Sequence, residues 1–482
     1  MRLTGEHLPL GRTGRSTSPW RILAYLAAIG GTLLVIRSFR QGGIRPLLLA
    51  TPTPTRTAAS YIEEGRAHFS AGKLVDAIRA YERGAAVAPG DARLGAELAR
   101  IQAYSSALLT TTAQKQTRLA EARQSVEAAI AANPDEASAY AVRTMVYDWS
   151  ASVATDEAER ERLLKEAETS AVRALQLDPG SSLARAYYGE LLLDQGNFVQ
   201  AFDLAEKAAA DADPLDPTSM DIHRIFGTVL EAQSYYRQAI DEYLAASAIA
   251  PNFTYLYLLI GANYRQLAVK APSETDRRVL MNQALESFDR AARINEQLGI
   301  QDPTPYLSIG KTYLQDGEFF IAAINVERAL AIDPSNPDIF GRLGIIFFKA
   351  RNYESAVEVL RCAVEGCSAA ENGALLCDLK VLACDEDTNR EEVGAQVDGL
   401  PLVDDTLEYY YTYASVLTNF RGSPLFPNAC SRAESLFQQL LAKYGGDPIV
   451  AGIVAENREL CAGAIPAPGP IPEATAEDRV IS

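Results

Sequence analysis

The sequence of 482 residues predicts an all-α protein: a right-handed α-solenoid of helix–turn–helix repeats, with one N-terminal transmembrane helix and an atypical, cysteine-containing C-terminal cap. Three observations predict this architecture. One apolar run lies near the N-terminus, a ladder of small and aromatic residues recurs through the middle of the chain, and all six cysteines lie in the last third. Stacked repeats also explain how a chain too long for one ordinary core can fold.

The first predicted element is a membrane anchor at residues 20–39, which follows a basic tail at 1–19. Its uncharged centre, ILAYLAAIGGTLLVI, lies between Arg21 and Arg37, and Trp20 and Phe39 extend it. A cleaved signal peptide and a buried helix are the open alternatives, because both contain apolar runs of this length. The absence of a small-residue cleavage motif soon after the run favours an uncleaved anchor.

A linker at residues 40–57 is expected to separate the anchor from the body of the protein. It contains TPTPTR, in which alternating threonine and proline favour an extended, polyproline-like spacer. The body that follows differs sharply in charge. Residues 1–57 carry eight arginines and one glutamate, whereas residues 58–482 carry 37 basic and 61 acidic side chains. A body this acidic repels the phosphate backbone, so nucleic-acid binding is not predicted.

The repeat is clearest at residues 310–334, GKTYLQDGEFFIAAINVERALAIDP. Two antiparallel helices approach closely where the residue at their crossing is small, so we assign Gly310 and Ala322 to that contact. Gly317 is predicted in the turn between the helices, and Pro334 ends the second helix. The same spacing recurs in other segments, and the predicted contact pairs are Gly189 with Ala201, Gly227 with Ala239, Gly261 with Ala284, Gly310 with Ala322 and Gly344 with Ala356.

This ladder resembles the tetratricopeptide repeat family over residues 58–367, in about eight units. The resemblance implies a concave groove, lined by the first helix of each unit, that binds protein or peptide partners. By the family register, the candidate groove residues are Arg224, Arg265, Lys311, Phe348 and Lys349. The lysine and asparagine cluster with which chaperone-binding relatives hold a C-terminal carboxylate is not reproduced, so binding to such chaperones is not predicted.

Three units are longer than the 34-residue period. Pro89, Pro134 and Pro179 are each 45 residues apart, and the unit containing Gly261 and Ala291 is also extended. Eleven extra residues correspond to almost three helical turns, so both helices of a unit could lengthen and keep their inner faces in phase. Protruding hairpin tips are therefore favoured, and a simple loop remains the alternative. The sequence SETD at 273–276 is predicted to cap one of the long helices.

The pattern breaks at residues 368–405, which we interpret as an irregular cysteine-containing segment. Residues 406–463 return to a helical hairpin followed by a capping helix, as expected where a solenoid must cover its open end. The Pro-rich residues 464–482 are predicted to be a disordered tail.

All six cysteines of the chain lie between residues 362 and 461: Cys362, Cys367, Cys377, Cys384, Cys430 and Cys461. Their spacing lacks the paired CxxC motif of structural zinc sites, so disulfide bonds are favoured over free thiols or a metal. We expect the first four to pair among themselves and Cys430 to pair with Cys461. Disulfide bonds persist outside the cytoplasm, which favours an extracytoplasmic body on a single-pass cell-membrane protein. The arginines flanking the anchor are balanced and do not decide the orientation.

No catalytic constellation, cofactor motif or metal-ligand cluster is recognisable. His7, His68 and His223 lie far apart in the sequence, and no nucleotide-binding or zinc-protease motif occurs. The sequence therefore predicts a membrane-tethered, non-enzymatic scaffold that binds protein partners in its groove. The alternative is a structural accessory subunit of an envelope enzyme or of a secretion or assembly complex.

Overall fold

A computed structural model describes residues 18–40, 56–109 and 111–463. The chain divides into two units, Met1–Arg56 and Thr57–Ser482. The first unit contains helix α1, Pro19–Arg40. The predicted basic tail up to residue 17, most of the Thr/Pro linker and the tail at 464–482 lie outside the described residues.

Helix α1 is long and apolar enough to cross a membrane over Pro19–Ser38. Its apolar side chains are exposed along its length; Trp20, for example, is 79% exposed. A signal sequence near an N-terminus meets the same criterion of length and composition. The helix therefore establishes a candidate span, and its role is taken up below.

The second unit begins with eight helix pairs. They are α2 (Ala58–Ser70) with α3 (Leu74–Val87), α4 (Ala92–Ser106) with α5 (Thr112–Ala132), α6 (Ala137–Ser152) with α7 (Glu157–Leu177), α8 (Ser182–Asp194) with α9 (Phe198–Ala210), α10 (Ser219–Ala232) with α11 (Tyr236–Ile249), α12 (Thr254–Val269) with α13 (Glu274–Leu298), α14 (Thr304–Asp316) with α15 (Phe319–Ile332), and α16 (Pro337–Lys349) with α17 (Tyr353–Val364). The described residues contain no β-strand, and the all-α prediction is confirmed.

The small residues of the ladder lie inside these pairs. A Cβ atom added to Gly310 would lie 2.7 Å from the Val326 side chain and 3.2 Å from the Ala322 carbonyl oxygen. At Gly189 the nearest atom is the Ala201 carbonyl oxygen, also at 3.2 Å. The alanines of the five pairs are all fully buried: Ala201, Ala239, Ala284, Ala322 and Ala356.

The other three glycines make room for a large side chain on the second helix, rather than for the alanine itself. A Cβ atom at Gly227 would lie 2.6 Å from the Tyr243 ring. A Cβ atom at Gly261 would meet the Phe288 ring, and one at Gly344 would meet the Leu360 side chain. A glycine at this position therefore lowers helix propensity but permits a bulky residue of the second helix to fill the crossing.

The three long units have longer helices rather than a long loop. Helices α5 and α7 contain 21 residues each and α13 contains 25, whereas the second helices of the other units contain 12 to 14. The predicted cap of α13 is confirmed, because the Ser273 hydroxyl accepts a hydrogen bond from the Asp276 amide. Gly299, with a φ of 68°, ends the same helix in the left-handed conformation.

The C-terminal cap departs from the repeat after α17. It contains α18 (Ala369–Asp378), the short α19 (Arg390–Val393), α20 (Leu407–Asn419), α21 (Ala429–Tyr444) and α22 (Pro448–Ala462). Residues between α18 and α20 contact the end of α17 through an isolated antiparallel bridge between Cys367 and Val397. Backbones approach closely at Gly373, where an added Cβ atom would lie 1.8 Å from the Arg390 carbonyl oxygen.

All six cysteines lie in this cap region as three disulfide-bonded pairs. Cys362 pairs with Cys367, Cys377 with Cys384, and Cys430 with Cys461. The last pair joins α21 to α22 across 31 residues of sequence. The first two bonds close short loops next to the last repeat. The disulfide bonds are therefore concentrated at the end of the stack, where no further repeat packs against the last one.

Candidate functional site

The first helices of the N-terminal units meet at a buried ionic cluster, which we define as Arg100, Glu190, Asp221 and Arg224. Arg100 on α4 donates a hydrogen bond to Asp221 on α10 at 2.7 Å, across 121 residues of sequence. Arg100 is 2% exposed and Asp221 is fully buried. A charge pair so completely removed from water requires close partners on both sides, which the surrounding side chains supply.

Arg224 completes the cluster and does not line an open groove. Its guanidinium group donates two hydrogen bonds to Glu190, at 2.7 and 2.9 Å, and a third to the Tyr104 hydroxyl at 3.1 Å. It is 2% exposed. The prediction that Arg224 is a groove residue is therefore wrong: the register places it on the inner face, but that face is filled by side chains from opposite helices.

Next to the ionic cluster, an aromatic ring from the first unit packs against a ring at the start of the unit that begins at α12. The Phe69 and Phe253 rings lie 5.9 Å apart, and Phe253 also contacts Tyr104, at 5.2 Å. At the α2–α3 turn, a Cβ atom on Gly72 would lie 2.5 Å from the Asn252 carbonyl oxygen. We call the contact between Phe69, Gly72, Asn252 and Phe253 the clasp. It joins parts of the chain about five units apart.

One carboxyl group beside the ionic cluster has no basic partner. Asp148 is 1% exposed, and its two carboxyl oxygens accept no hydrogen bond from the described donors. Burial raises its pKa well above the usual range, and the nearby Asp194 and Glu190 carboxylates raise it further. Burial, together with the charge of Glu190, raises the pKa of Asp194 to about 6. Both carboxyl groups therefore take up a proton at higher pH than an exposed aspartate does.

The C-terminal units differ, because a cavity of about 230 Å³ opens between α14, α16 and α20. We call it the groove pocket. Its lining residues are Leu307, Lys311, Leu314, Val326, Arg342, Ile345, Ile346, Lys349, Asp405, Glu408 and Tyr409. Most of the lining is aliphatic. We call its basic side chains, Lys311, Arg342 and Lys349, the basic edge, and Asp405 and Glu408, just before and within α20, the acidic edge.

Two predicted groove residues, Lys311 and Lys349, meet at the basic edge of this pocket. Arg265 lies beside it on α12, where its guanidinium group donates to the Ser308 carbonyl and the Thr312 hydroxyl of α14, both at 3.4 Å. Phe348 lies elsewhere: its ring is partly buried and 5.9 Å from the Tyr353 ring of α17. Of the five predicted residues, therefore, two line the pocket, one adjoins it, one is buried in the first half and one packs between helices.

The wall formed by α20 depends on a glycine that the sequence analysis did not single out. A Cβ atom on Gly341 would lie 2.7 Å from the Tyr409 ring, so only a glycine lets α20 approach α16 this closely. The Tyr409 hydroxyl donates to Asp338 at 2.6 Å, and Arg342 donates to the same carboxylate at 2.6 Å. The first glycine of FGRLG, at 340–344, was the signal in the sequence that could have predicted this contact.

The electrostatics of the basic edge follow from burial and from crowding of like charges. Burial lowers the pKa of Arg265 below its ordinary value. Burial also lowers the pKa of Lys311, and repulsion by Arg265 and Arg342 lowers it further. Charged groups held in this way favour an incoming anion, because it would relieve the repulsion between them.

Chemistry of other kinds finds little support in the described parts of the chain. No group of three or more histidine, cysteine or acidic side chains there is arranged to hold a metal ion. His223 lies 2.7 Å from Glu242, and His68 lies 3.8 Å from Glu64 within one helix. What the site offers is therefore a surface for recognition: an aliphatic pocket between charged edges.

Stacked helix pairs with small residues at their crossings define an α-solenoid repeat protein. A family model described as tetratricopeptide repeat matches residues 154–217 and 307–371. These two matches identify tetratricopeptide repeats in both halves of the solenoid, and with the eight helix pairs they confirm the prediction of this repeat. A search of curated proteins finds no match.

Solved structures resemble this fold at low identity. The human IFIT1 dimer with PPP-AAAA is 12% identical, covers 86% of this chain and 92% of its own, and has a TM-score of 0.50. TTC0263, a thermophilic tetratricopeptide repeat protein from Thermus thermophilus, is 20% identical, with a TM-score of 0.31, over 42% of this chain and 96% of its own. YrrB, a tetratricopeptide repeat protein with an unusual peptide-binding site, is 18% identical, with a TM-score of 0.30, over 48% of this chain and 99% of its own. At these identities the likeness concerns the fold alone.

Proposed function

We propose that the protein is a membrane-tethered scaffold that binds an extended segment of a partner protein across the concave face of α14, α16 and α20. The groove pocket is the observation that carries this proposal. The inner face of the first half is filled by the protein's own side chains, whereas the pocket leaves aliphatic and charged groups free for a partner. Recognition of partners through repeated helices is the general role of this fold.

The tether in this proposal is α1, whose apolar stretch Pro19–Ser38 has the length of a membrane span. Its side chains are exposed, as expected of a helix surrounded by lipid. Three disulfide bonds support a body outside the cytoplasm, because reducing compartments do not maintain them. We propose no catalytic role, since the described side chains form a recognition surface.

A photocrosslinking experiment on full-length protein in its native membrane tests the scaffold function. A photoreactive amino acid replaces Lys349 at the edge of the groove pocket or, as the control, Lys207 on the exposed face of α9. We expect a reproducible partner, identified by mass spectrometry, to crosslink from position 349 and not from position 207. Equal adduct patterns from both positions, or no adduct from position 349, would contradict the proposal.

The same experiment separates a scaffold from a permanent subunit. Partners of a scaffold should dissociate when the salt concentration rises, because charged groups surround the pocket. One stoichiometric complex that survives high salt would instead indicate the accessory-subunit function. Protease treatment of intact cells, with thiol alkylation before reduction, tests the orientation: an extracytoplasmic body is cleaved and its six cysteines stay unalkylated.

A further inference from the structure

We propose that the groove pocket recognises an aliphatic side chain flanked by an aspartate or glutamate, within an internal segment of the partner protein. The inference deepens the proposed scaffold function and rests on it. The aliphatic side chain would enter the pocket between Leu314 and Ile346, and the carboxylate would bind Lys311 and Lys349. The ligand is a side-chain carboxylate, so a free chain terminus is not required.

The first argument is an excess of positive charge at one edge. Among the described residues, no carboxylate forms a salt bridge within 4.0 Å of Lys311, Lys349 or Arg265, in contrast to Arg342, which has Asp338 at 2.6 Å. The rest of the body is strongly acidic, with 61 acidic against 37 basic side chains over residues 58–482. A group of unpaired cations on such a surface is a local exception, and a carboxylate supplies the missing counter-charge.

The second argument is the cost of holding these cations together without an anion. Arg265 contacts the Ser308 carbonyl, the Thr312 hydroxyl and the Phe288 ring, the last at 5.4 Å, and forms no salt bridge with a described carboxylate. Burial depresses the pKa values of both Arg265 and Lys311, and the two cations repel each other. A bound carboxylate reverses both effects, so part of the binding free energy comes from relief of repulsion that the free protein already contains.

The third argument is the size and lining of the pocket. Its floor is formed by aliphatic side chains, and its volume of about 230 Å³ lies below the range typical of cofactor and drug-sized ligands. One side chain the size of leucine or isoleucine fits such a space. The burial of that side chain would provide apolar contact area that a simple anion cannot supply.

The acidic edge gives the site a direction and excludes polyanions. Asp405 and Glu408 line the same pocket as Lys311 and Lys349 and form no salt bridge with them within 4.0 Å. A segment with an acidic residue on one side of the aliphatic residue, and a neutral or basic residue on the other, matches both edges. A nucleic acid would bring phosphates against Asp405 and Glu408, so the charge pattern favours an acidic–aliphatic peptide.

The binding test uses full-length protein in detergent and fluorescein-labelled peptides of equal length with amidated C-termini. The probe Gly-Ser-Asp-Leu-Lys-Ser-Gly is compared with versions in which asparagine replaces aspartate or glycine replaces leucine. We expect the parent peptide to bind, measured by fluorescence anisotropy, and each replacement to weaken binding about tenfold, the effect of one charge-assisted contact or one buried aliphatic group.

Two protein variants place that binding in the pocket. Lys311→Gln and Lys349→Gln should each weaken the parent peptide about tenfold and reduce the salt dependence of binding, whereas Lys207→Gln removes an exposed lysine elsewhere and should change neither. Circular dichroism confirms that all three variants are folded. An asparagine peptide as tight as the parent, or Lys311→Gln without effect, would overturn the inference.

Two further outcomes would also overturn it. Inorganic phosphate that binds with the same affinity as the peptide would show a general anion site without a place for the aliphatic group. A single-stranded oligonucleotide that binds more tightly than the peptide would assign the basic edge to nucleic acid. Crosslinking of a partner from position 349, without dependence on its acidic residues, would leave the scaffold function intact and refute only this ligand class.

Discussion

The two halves of the solenoid use the same repeat in opposite ways. In the first half, helices α4 and α10 bring Arg100 and Asp221 within 2.7 Å, and the inner face becomes a buried polar core. In the second half, helices α14, α16 and α20 leave a cavity of about 230 Å³ on the corresponding face. The same repeat therefore gives an inner face filled by side chains in one half and a cavity in the other.

The long units lie mostly in the half that closes. Helices α5 and α7 each contain 21 residues, and both belong to units whose first helices contribute to the closed inner face. A longer second helix enlarges the outer side of a stack relative to its inner side, which increases the curvature from unit to unit. We infer that the long hairpins help the first and sixth units to meet at the clasp.

The largest expected effect is the loss of a charge from the closed half. Arg100→Met leaves the buried Asp221 carboxylate without its cation, which should lower the free energy of unfolding of the N-terminal units by about 3–5 kcal/mol. Arg79→Met removes an exposed arginine from a 3.2 Å pair with Asp76 and should cost less than about 1 kcal/mol. Urea denaturation of both variants measures the difference.

The same pair of variants tests whether the halves are independent. Hydrogen exchange of Arg100→Met should become faster in α4 to α10 and stay unchanged in α14 to α17, because solenoid units depend mainly on their neighbours. Equal losses of protection in both halves would show that the division is wrong.

A slightly smaller effect is expected at the opposite end. Replacing Cys430 and Cys461 together by serine removes the link between α21 and α22 and should cost about 2–4 kcal/mol locally. Hydrogen exchange should rise in α20 to α22 and remain unchanged around the ionic cluster. A global fall in melting temperature, with uniform loss of protection, would contradict the local role of the cap.

An intermediate effect concerns the packing that both halves share. Gly310→Leu should cost about 1–3 kcal/mol or more, because the added atoms meet the Val326 side chain and the Ala322 backbone. Gly452→Ala is the matched control: this helical glycine has no atom within 4 Å of an added Cβ, and alanine should stabilise the helix by roughly 0.5–1 kcal/mol. Thermal melts that shift in the same direction for both variants would refute the assigned repeat register.

The smallest effect depends on pH. Because the folded state raises the pKa values of Asp148 and Asp194, it binds a proton more tightly than the unfolded chain, and its free energy of unfolding should fall as pH rises from about 4 through about 6. Asp148→Asn needs no proton, so its advantage in free energy of unfolding over the wild type should grow as pH rises above about 4 and disappear below that pH. Denaturation curves at several pH values test this; parallel pH profiles for the two proteins would contradict a raised pKa of Asp148 in the folded state.

Sequence periodicity was sufficient to predict the helix pairs, because the contacts within a pair join residues that are close in the chain. Gly310 and Ala322 are 12 residues apart, and a repeated spacing reports such neighbours directly. The cap of α13 at Ser273 was likewise predictable from local chemistry. The membrane orientation and the partner involve molecules outside the chain, so no internal pattern encodes them.

The site was only partly predictable, since curvature accumulates over many units. The register correctly placed Arg224 on the inner face, but its partners Tyr104 and Glu190 lie 120 and 34 residues away, and no repeat spacing links them. Lys311 and Lys349 lie on consecutive first helices, so a repeated spacing links them, and both line the groove pocket. The acidic side chains Asp405 and Glu408 lie at the end of the irregular segment and the start of α20, and the path of that segment depends on backbone contacts such as that of Gly373.

The clasp has a mechanical consequence. A pull on the N-terminal end of an ordinary solenoid would detach one helix at a time, beginning here with α2. Phe69 and Gly72, near that end, contact Phe253 and Asn252 from a unit about 180 residues further along the chain. Tension is therefore shared between the first unit and the unit that begins at α12, so the solenoid should resist unfolding from α2 better than from α22.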